Sequence, residues 1–207
     1  FDPSILDIYG TFAHGGTLHL LTQDEMQDFK FVSKYVRNEY LHQATMPTAV
    51  FNQLVDQVPE IFEVFESVYI GGEAATSRHC QRFKSLAKPS SVLINNYGPT
   101  EVTIYSVWYE VQGNEDGDVP IGLPVHNIKA YILDKDGALV PPGLEGELCL
   151  SGPQLADGYL NRPELHNVYF HEHPEIGSIY KTGDRAVWEK DGLLRFKGRS
   201  DDQVKIR

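Results

Sequence analysis

At 207 residues the chain can form one large domain or two small ones, and a 41% hydrophobic, 11% aromatic composition suffices for a buried core, which excludes wholesale disorder. A net charge of −11 argues against a nucleic-acid-binding surface, yet leaves nucleotide binding open, because one phosphate site needs only a few local donors and a metal. No apolar run approaches the ~20 residues of a membrane span and no signal peptide opens the chain, while Cys80 and Cys149, far apart, read as core thiols of a reducing, cytoplasmic compartment.

In chain order, Ser4 to His14 reads as a helix, with Ser4 as N-cap and Gly15-Gly16 as the stop. Thr17 to Leu21 is expected as a short strand. From about Asp24 to Tyr40 the apolar positions Met26, Phe29, Val32, Val36 and Tyr40 recur at helical spacing. Gln43 to Met46 reads as a strand, Pro47-Thr48 opens a helix over Ala49 to Asp56, and the strand Ser67 to Ile70 ends at Gly71-Gly72. Thr76 opens a helix running to about Ala87, and Ser91 to Asn95 is the next strand. Short strands alternating with helices of this length predict a mostly parallel, flavodoxin-like sheet flanked by helices.

The pattern changes near residue 105. Tyr105 to Val111, Ile128 to Asp134, Gly146 to Ser151, Ala186 to Glu189 and Leu193 to Lys197 are strand signals. They are separated by Gly113-Asn114, Asp136-Gly137, Pro141-Pro142-Gly143 and Lys190-Asp191-Gly192, which is hairpin chemistry. A mainly antiparallel β-barrel subdomain, residues 113–207, is therefore expected to follow an α/β subdomain, residues 1–112, with the joint in the acidic loop between Val111 and Pro120. Phe1 stands where Met would, and Gln203–Arg207 stops inside a β-prone run, so both ends read as cuts in a longer polypeptide. The eight histidines show no ligand spacing, and His171 and His173, beside Glu172 and Glu175, read as a solvated loop.

The most informative stretch is Asn95-Asn96-Tyr97-Gly98-Pro99-Thr100-Glu101, set between the apolar run Val92–Ile94 and the β-prone run Ile104–Val107. It presents an aromatic face, a hydroxyl and a carboxylate at the carboxyl end of a strand, where open α/β sheets bind ligands. A ring can stack on a base, a hydroxyl can donate to a phosphate oxygen, and a glutamate can hold a hard cation such as Mg²⁺. Gly98 and Pro99 supply the turn that brings the three together.

This heptapeptide resembles the nucleotide-contacting motif of adenylate-forming enzymes, and three further runs resemble the adenylation domains of nonribosomal peptide synthetases. Gly146–Gly152 with Leu155–Leu160 and Arg162-Pro163-Glu164 is similar to their core structural motif, although Asp157 stands where the family usually has a basic residue. Tyr180–Asp184 is similar to the ribose-binding motif, and Gly198–Arg207 to the first half of the hinge motif. The resemblance implies ATP and Mg²⁺ as cofactors, with Thr100 at the α-phosphate and Glu101 on the metal. It implies Asn95 and Tyr97 at adenine, with Gly72 and Glu73 passing nearby, Asp184 on the ribose hydroxyls, Phe196 and Arg199 on the nucleotide side, and Asp201 at the hinge.

Asp2, after Phe1, is similar to the family residue that pairs with the α-amino group of an amino acid, a pairing that makes physical sense because either charge alone would be costly to bury. Pro3, Leu6, Thr45, Tyr69, Gly71, Asn96, Ile104 and Tyr105 would then line the side-chain pocket, which carries no complement to a charged side chain. The implied reaction is ATP plus amino acid to aminoacyl-AMP and pyrophosphate, then transfer to the thiol of a peptidyl carrier protein, alongside a condensation domain in the parent synthetase. The family's phosphate-loop Lys would precede Phe1 and a second Lys would follow Arg207, so the chain alone is expected to be inactive. Two alternatives stay open: an acyl- or aryl-CoA ligase-type enzyme, and a non-catalytic substrate-specificity module.

Overall fold

The structure is a computed structural model that describes residues 2–200; Phe1, Asp201 and the rest of the hinge run to Arg207 lie outside the described residues. The chain divides into two units. The first comprises the residues up to Asn95 with Glu110–Val119, the second Asn96–Tyr109 with the residues from Pro120 on, so the chain crosses between them inside two strands and again at Pro120.

The first unit opens with a helical stretch, a π-helical turn Leu6–Gly10 continued by α1 (Thr11–Ala13). The expected strand over Thr17–Leu21 does not form: these residues join no ladder, and Leu20 stands 81% exposed, so its apolar side chain is not covered. The single helix expected over Asp24–Tyr40 is two, α2 (Gln23–Gln27) and α3 (Phe29–Asn38). Thr22 and Glu25 form a reciprocal capping box at the start of α2. Asp28 breaks the run because its carboxylate accepts from the Lys30 and Phe31 amides at 3.1 Å each, restarting the helix as an N-cap.

Strands β1 (Gln43–Pro47) and β2 (Ser67–Gly71) pair in parallel, joined by α4 (Thr48–Gln57) and a 3₁₀ turn, Pro59–Glu63. Next come α5 (Ser77–Leu86) and β3 (Val92–Tyr97), whose residues up to Asn95 belong to this unit and neighbour β2. Between the layers lie Phe51, Phe62 and Phe83, all fully buried, with ring centroids 5.2–5.9 Å apart in edge or tilted contact. Val55, Ile61, Val68, Ile70 and Leu93 complete this core.

In the second unit β4 (Val107–Glu110) runs antiparallel to the short β5 (Leu123–Pro124). A second sheet follows, with strand order β10-β9-β7-β6 and antiparallel pairing throughout, made of β6 (Lys129–Leu133), β7 (Gly146–Ser151), β9 (Gly177–Trp188) and β10 (Leu194–Arg199). After α6 (Pro163–Tyr169), β8 (Phe170–His173) pairs with the start of β9. His171 and His173 are therefore strand residues, not loop residues. The turn chemistry is as the sequence implies. Asp134 Oδ1 accepts from the Asp136 and Ala138 amides at 2.9 Å, and Asp191 Oδ1 from the Leu193 amide at 3.0 Å, at the two Asp-Gly turns. Val102, Val107, Ile128, Leu148, Leu150, Phe170, Tyr180 and Leu194 form one buried cluster beneath this sheet. Among the described residues, no helix is long and apolar enough to cross a membrane.

Candidate nucleotide site

The carboxyl end of β3 runs into Gly98 and Pro99 and then a 3₁₀ turn, Thr100–Val102, which carries Thr100 exposed and Glu101 half-buried. Behind that turn the backbone doubles back sharply. Thr103 and Ile104 both have left-handed φ, +53° and +65°, which is unfavourable for β-branched residues and persists only where the surrounding structure holds it. The return brings the Ser106 amide onto the Tyr97 carbonyl at 2.9 Å. It also leaves no room at Gly98, where an added Cβ would overlap the Ile104 carbonyl oxygen and crowd the Ser106 nitrogen at 2.8 Å. Val102, fully buried, anchors the turn in the core.

Tyr97 and Asp184 meet here. The Tyr97 hydroxyl donates to Asp184 Oδ2 at 2.5 Å, and Arg199 Nη1 donates to Asp184 Oδ1 at 3.0 Å. Asp184 sits on β9, opposite Arg199 of β10, where a bulge between Phe196 and Arg199 shifts the register. Phe196 lies half-buried on β10, paired with Ala186. Asp184 is 9% exposed, and its backbone is fixed by its amide donating to Thr182 Oγ1 at 3.0 Å, while that hydroxyl donates to the Leu148 carbonyl at 2.7 Å. Burial first, and then the adjoining Asp184 charge, push the Tyr97 phenol well above its ordinary value, so it stays a donor.

Glu101 is held separately. The Tyr159 hydroxyl donates to Glu101 Oε1, the Ala156 amide donates to the Glu101 carbonyl at 2.8 Å, and Thr103 Oγ1 donates to the Gln154 carbonyl at 2.9 Å. Tyr159 packs against Tyr169 and Phe170, with centroids 5.9 and 5.8 Å away. Burial and the bond to Glu101 push its phenol up to about 12. Tyr159 and Thr182 both fall in motif runs, yet nothing in the sequence gives either a partner, because each partner lies tens of residues upstream.

The remaining expected residues have these positions. Asn95 and Asn96 are both buried at the end of β3, and Asn96 Nδ2 has no hydrogen-bond partner. An orphaned buried donor is costly, and a ligand acceptor would relieve it. In the first unit Thr45 of β1 lies directly beside Tyr69 of β2, and Thr45 Oγ1 is likewise buried without a partner. Thr48 Oγ1 reaches the Gly71 and Glu73 carbonyls at 3.2 and 3.1 Å, fixing the turn through Gly72, whose φ of +87° requires glycine. Asp2 and Pro3 form the first helical turn through their carbonyls, which accept from the Ile5 and Leu6 amides at 2.9 and 3.0 Å, and Leu6 is half-buried. Ile104 is the second left-handed residue of that turn and Tyr105 follows it, both half-buried.

The AMP-binding enzyme family model matches residues 1–160. Tyrocidine synthase 3 of Brevibacillus parabrevis is 37% identical across this whole chain, which spans 3% of that protein's length. Bacitracin synthase 3 of Bacillus licheniformis is also 37% identical across the whole chain, which again spans 3% of it. Among solved structures, PA1221, an NRPS protein containing adenylation and PCP domains, superposes with a TM-score of 0.88 at 31% identity, over 99% of this chain and 42% of its own. The chain belongs to the AMP-binding enzyme family and, within it, to the adenylation domains of nonribosomal peptide synthetases.

Proposed function

We propose that this chain supplies the adenine, ribose and metal-binding side of a domain that activates an amino acid: ATP plus amino acid gives aminoacyl-AMP and pyrophosphate, followed by transfer to a carrier-protein thiol beside a condensation domain. The observation that carries this reading is the Tyr97–Asp184–Arg199 arrangement, with Glu101 four residues beyond Tyr97 on the same strand-ending turn.

Each role follows from chemistry. The Tyr97 ring, held by its hydroxyl, would stack on adenine, and Asn95 borders it in sequence. Asp184, oriented by Tyr97 and Arg199, would accept from the ribose hydroxyls. Thr100, exposed at the head of its turn, would donate to the α-phosphate. Mg²⁺ bound at Glu101 would supply neutralisation of the phosphate charge. Among the described residues no cluster of three or more metal-ligating side chains gathers, which fits Mg²⁺ held by one carboxylate, Glu101, with substrate phosphates and water as its other ligands. Asp2 would pair with the α-amino group; of the residues expected at the side chain, Pro3, Leu6, Thr45, Tyr69 and Gly71 belong to the first unit and Asn96, Ile104 and Tyr105 to the second. The buried, unbridged Cys80 and Cys149 support a reducing, cytoplasmic setting.

ATP–pyrophosphate exchange by the complete adenylation domain, run against panels of amino acids, hydroxy acids and fatty acids, tests the proposal. Exchange with one or a few amino acids is expected. Exchange with non-amino acids alone would overturn the role of Asp2 and favour the acyl-activating alternative.

A further inference from the structure

We propose that Tyr159 is a positioning residue for the Glu101 carboxylate, and that the 152–160 loop serves the metal-binding end of the site as well as the packing beneath it. The inference rests on the reading of Glu101 as the metal-binding carboxylate given above.

Three hydrogen bonds fasten the Thr100–Thr103 turn to this loop: the Tyr159 hydroxyl to Glu101 Oε1, the Ala156 amide to the Glu101 carbonyl, and Thr103 Oγ1 to the Gln154 carbonyl. One fixes the carboxylate itself and two fix the backbone that carries it. The backbone needs them, because two consecutive left-handed β-branched residues, Thr103 and Ile104, follow directly and would otherwise relax. Tyr159 cannot drift in turn. Its ring lies edge-on to Tyr169 and Phe170, and Phe170 belongs to the buried cluster that also contains Val102, next to Glu101 in sequence. A glutamate on a surface turn would otherwise sample several rotamers. Tied through Oε1 to a phenol that packs against the core, it presents its carboxylate in one orientation, as outer-shell partners do for metal-binding side chains.

The test uses the complete adenylation domain and compares wild type, Tyr159→Phe and Glu101→Gln. Tyr159→Phe keeps the ring and removes only the donor, so a purely packing role would survive it. The Mg²⁺ concentration giving half-maximal exchange should rise about tenfold in Tyr159→Phe, the size of effect usual for an outer-shell partner. The KM for the amino acid should stay within about twofold on the same reasoning. A direct readout is Mn²⁺ binding followed by electron paramagnetic resonance in the presence of a non-hydrolysable ATP analogue, where the dissociation constant should rise in parallel. Both constants are independent of how much of a variant is folded, so a less stable protein still reports. Unchanged metal constants in Tyr159→Phe, with Glu101→Gln shifting them, would overturn the role of Tyr159 alone. Unchanged constants in Glu101→Gln would overturn the assignment of Glu101, and this inference with it.

Discussion

The Tyr97 hydroxyl donates to Asp184 Oδ2 at 2.5 Å across 87 positions of sequence, joining the end of β3 to the middle of β9. Arg199 closes the other oxygen at 3.0 Å. The carboxylate of a largely buried aspartate is thus neutralised and oriented before any ligand arrives. Replacing Arg199 with Ala removes this cationic partner. We expect a loss of about 2 kcal/mol in folding stability, the range for hydrogen bonds to charged groups, measured by urea denaturation at neutral pH. A variant as stable as wild type would mean that solvent replaces the guanidinium at no cost.

Gly98→Ala should be more damaging than its size suggests. The new methyl group has a backbone carbonyl, not a flexible side chain, in its place, so the turn through Ile104 must shift. A destabilisation on the order of 3 kcal/mol is expected, at the upper end for overpacking, with loss of nucleotide binding in any fraction that still folds. Thermal unfolding and AMP binding, measured on the same preparation, check it.

Alkaline pH should act through Tyr159. Its phenol is raised from an ordinary 10 to about 12 in the folded protein. A raised folded value contributes stability that is complete below pH 10 and is lost as pH climbs through about 12, because the unfolded chain releases its proton first. Stability followed by circular dichroism in urea should fall less steeply across that window in Tyr159→Phe than in wild type. Equal slopes would show that the phenol is not held neutral by the fold.

The two thiols give a simple test of the cores. Burial pushes Cys80 and Cys149 each up to about 12, with Glu115 and Glu147 adding a smaller push in the same direction. Neither should react with a thiol reagent at pH 8 until the protein unfolds, and both should then react together. A rapid phase in native protein would place at least one of them at a surface.

Much of this was legible in the sequence, for identifiable reasons. The α/β alternation and the Asp-Gly hairpins are local chemistry, and Asp134 and Asp191 make the bonds that such turns require. The break at Asp28 was hidden because the apolar spacing continues through it, although an Asp three residues before Phe31 is a cap signal. Thr17–Leu21 has strand composition but no ladder partner, and composition alone cannot supply one. Of strand β9 only the end, from Ala186, carries a strand signal, because Gly183 interrupts the β-prone pattern, and bulges lie on both neighbouring pairings. The motif residues were visible individually. That Tyr97 grips Asp184 and Tyr159 grips Glu101 was not, since both pairings are long-range.

The most direct measurement is the affinity of AMP for the complete adenylation domain by titration calorimetry, in wild type, Tyr97→Ala and Asp184→Ala. Stacking on an aromatic ring is worth about 1–3 kcal/mol per base, and a carboxylate bonding two hydroxyls about 1.5–3 kcal/mol. Tyr97→Ala should therefore bind AMP at least about fivefold more weakly and Asp184→Ala at least about tenfold, with the amino-acid affinity unchanged. AMP affinity equal to wild type in both variants, with the fold intact, would contradict the assignment of the Tyr97–Asp184 pair to the nucleotide.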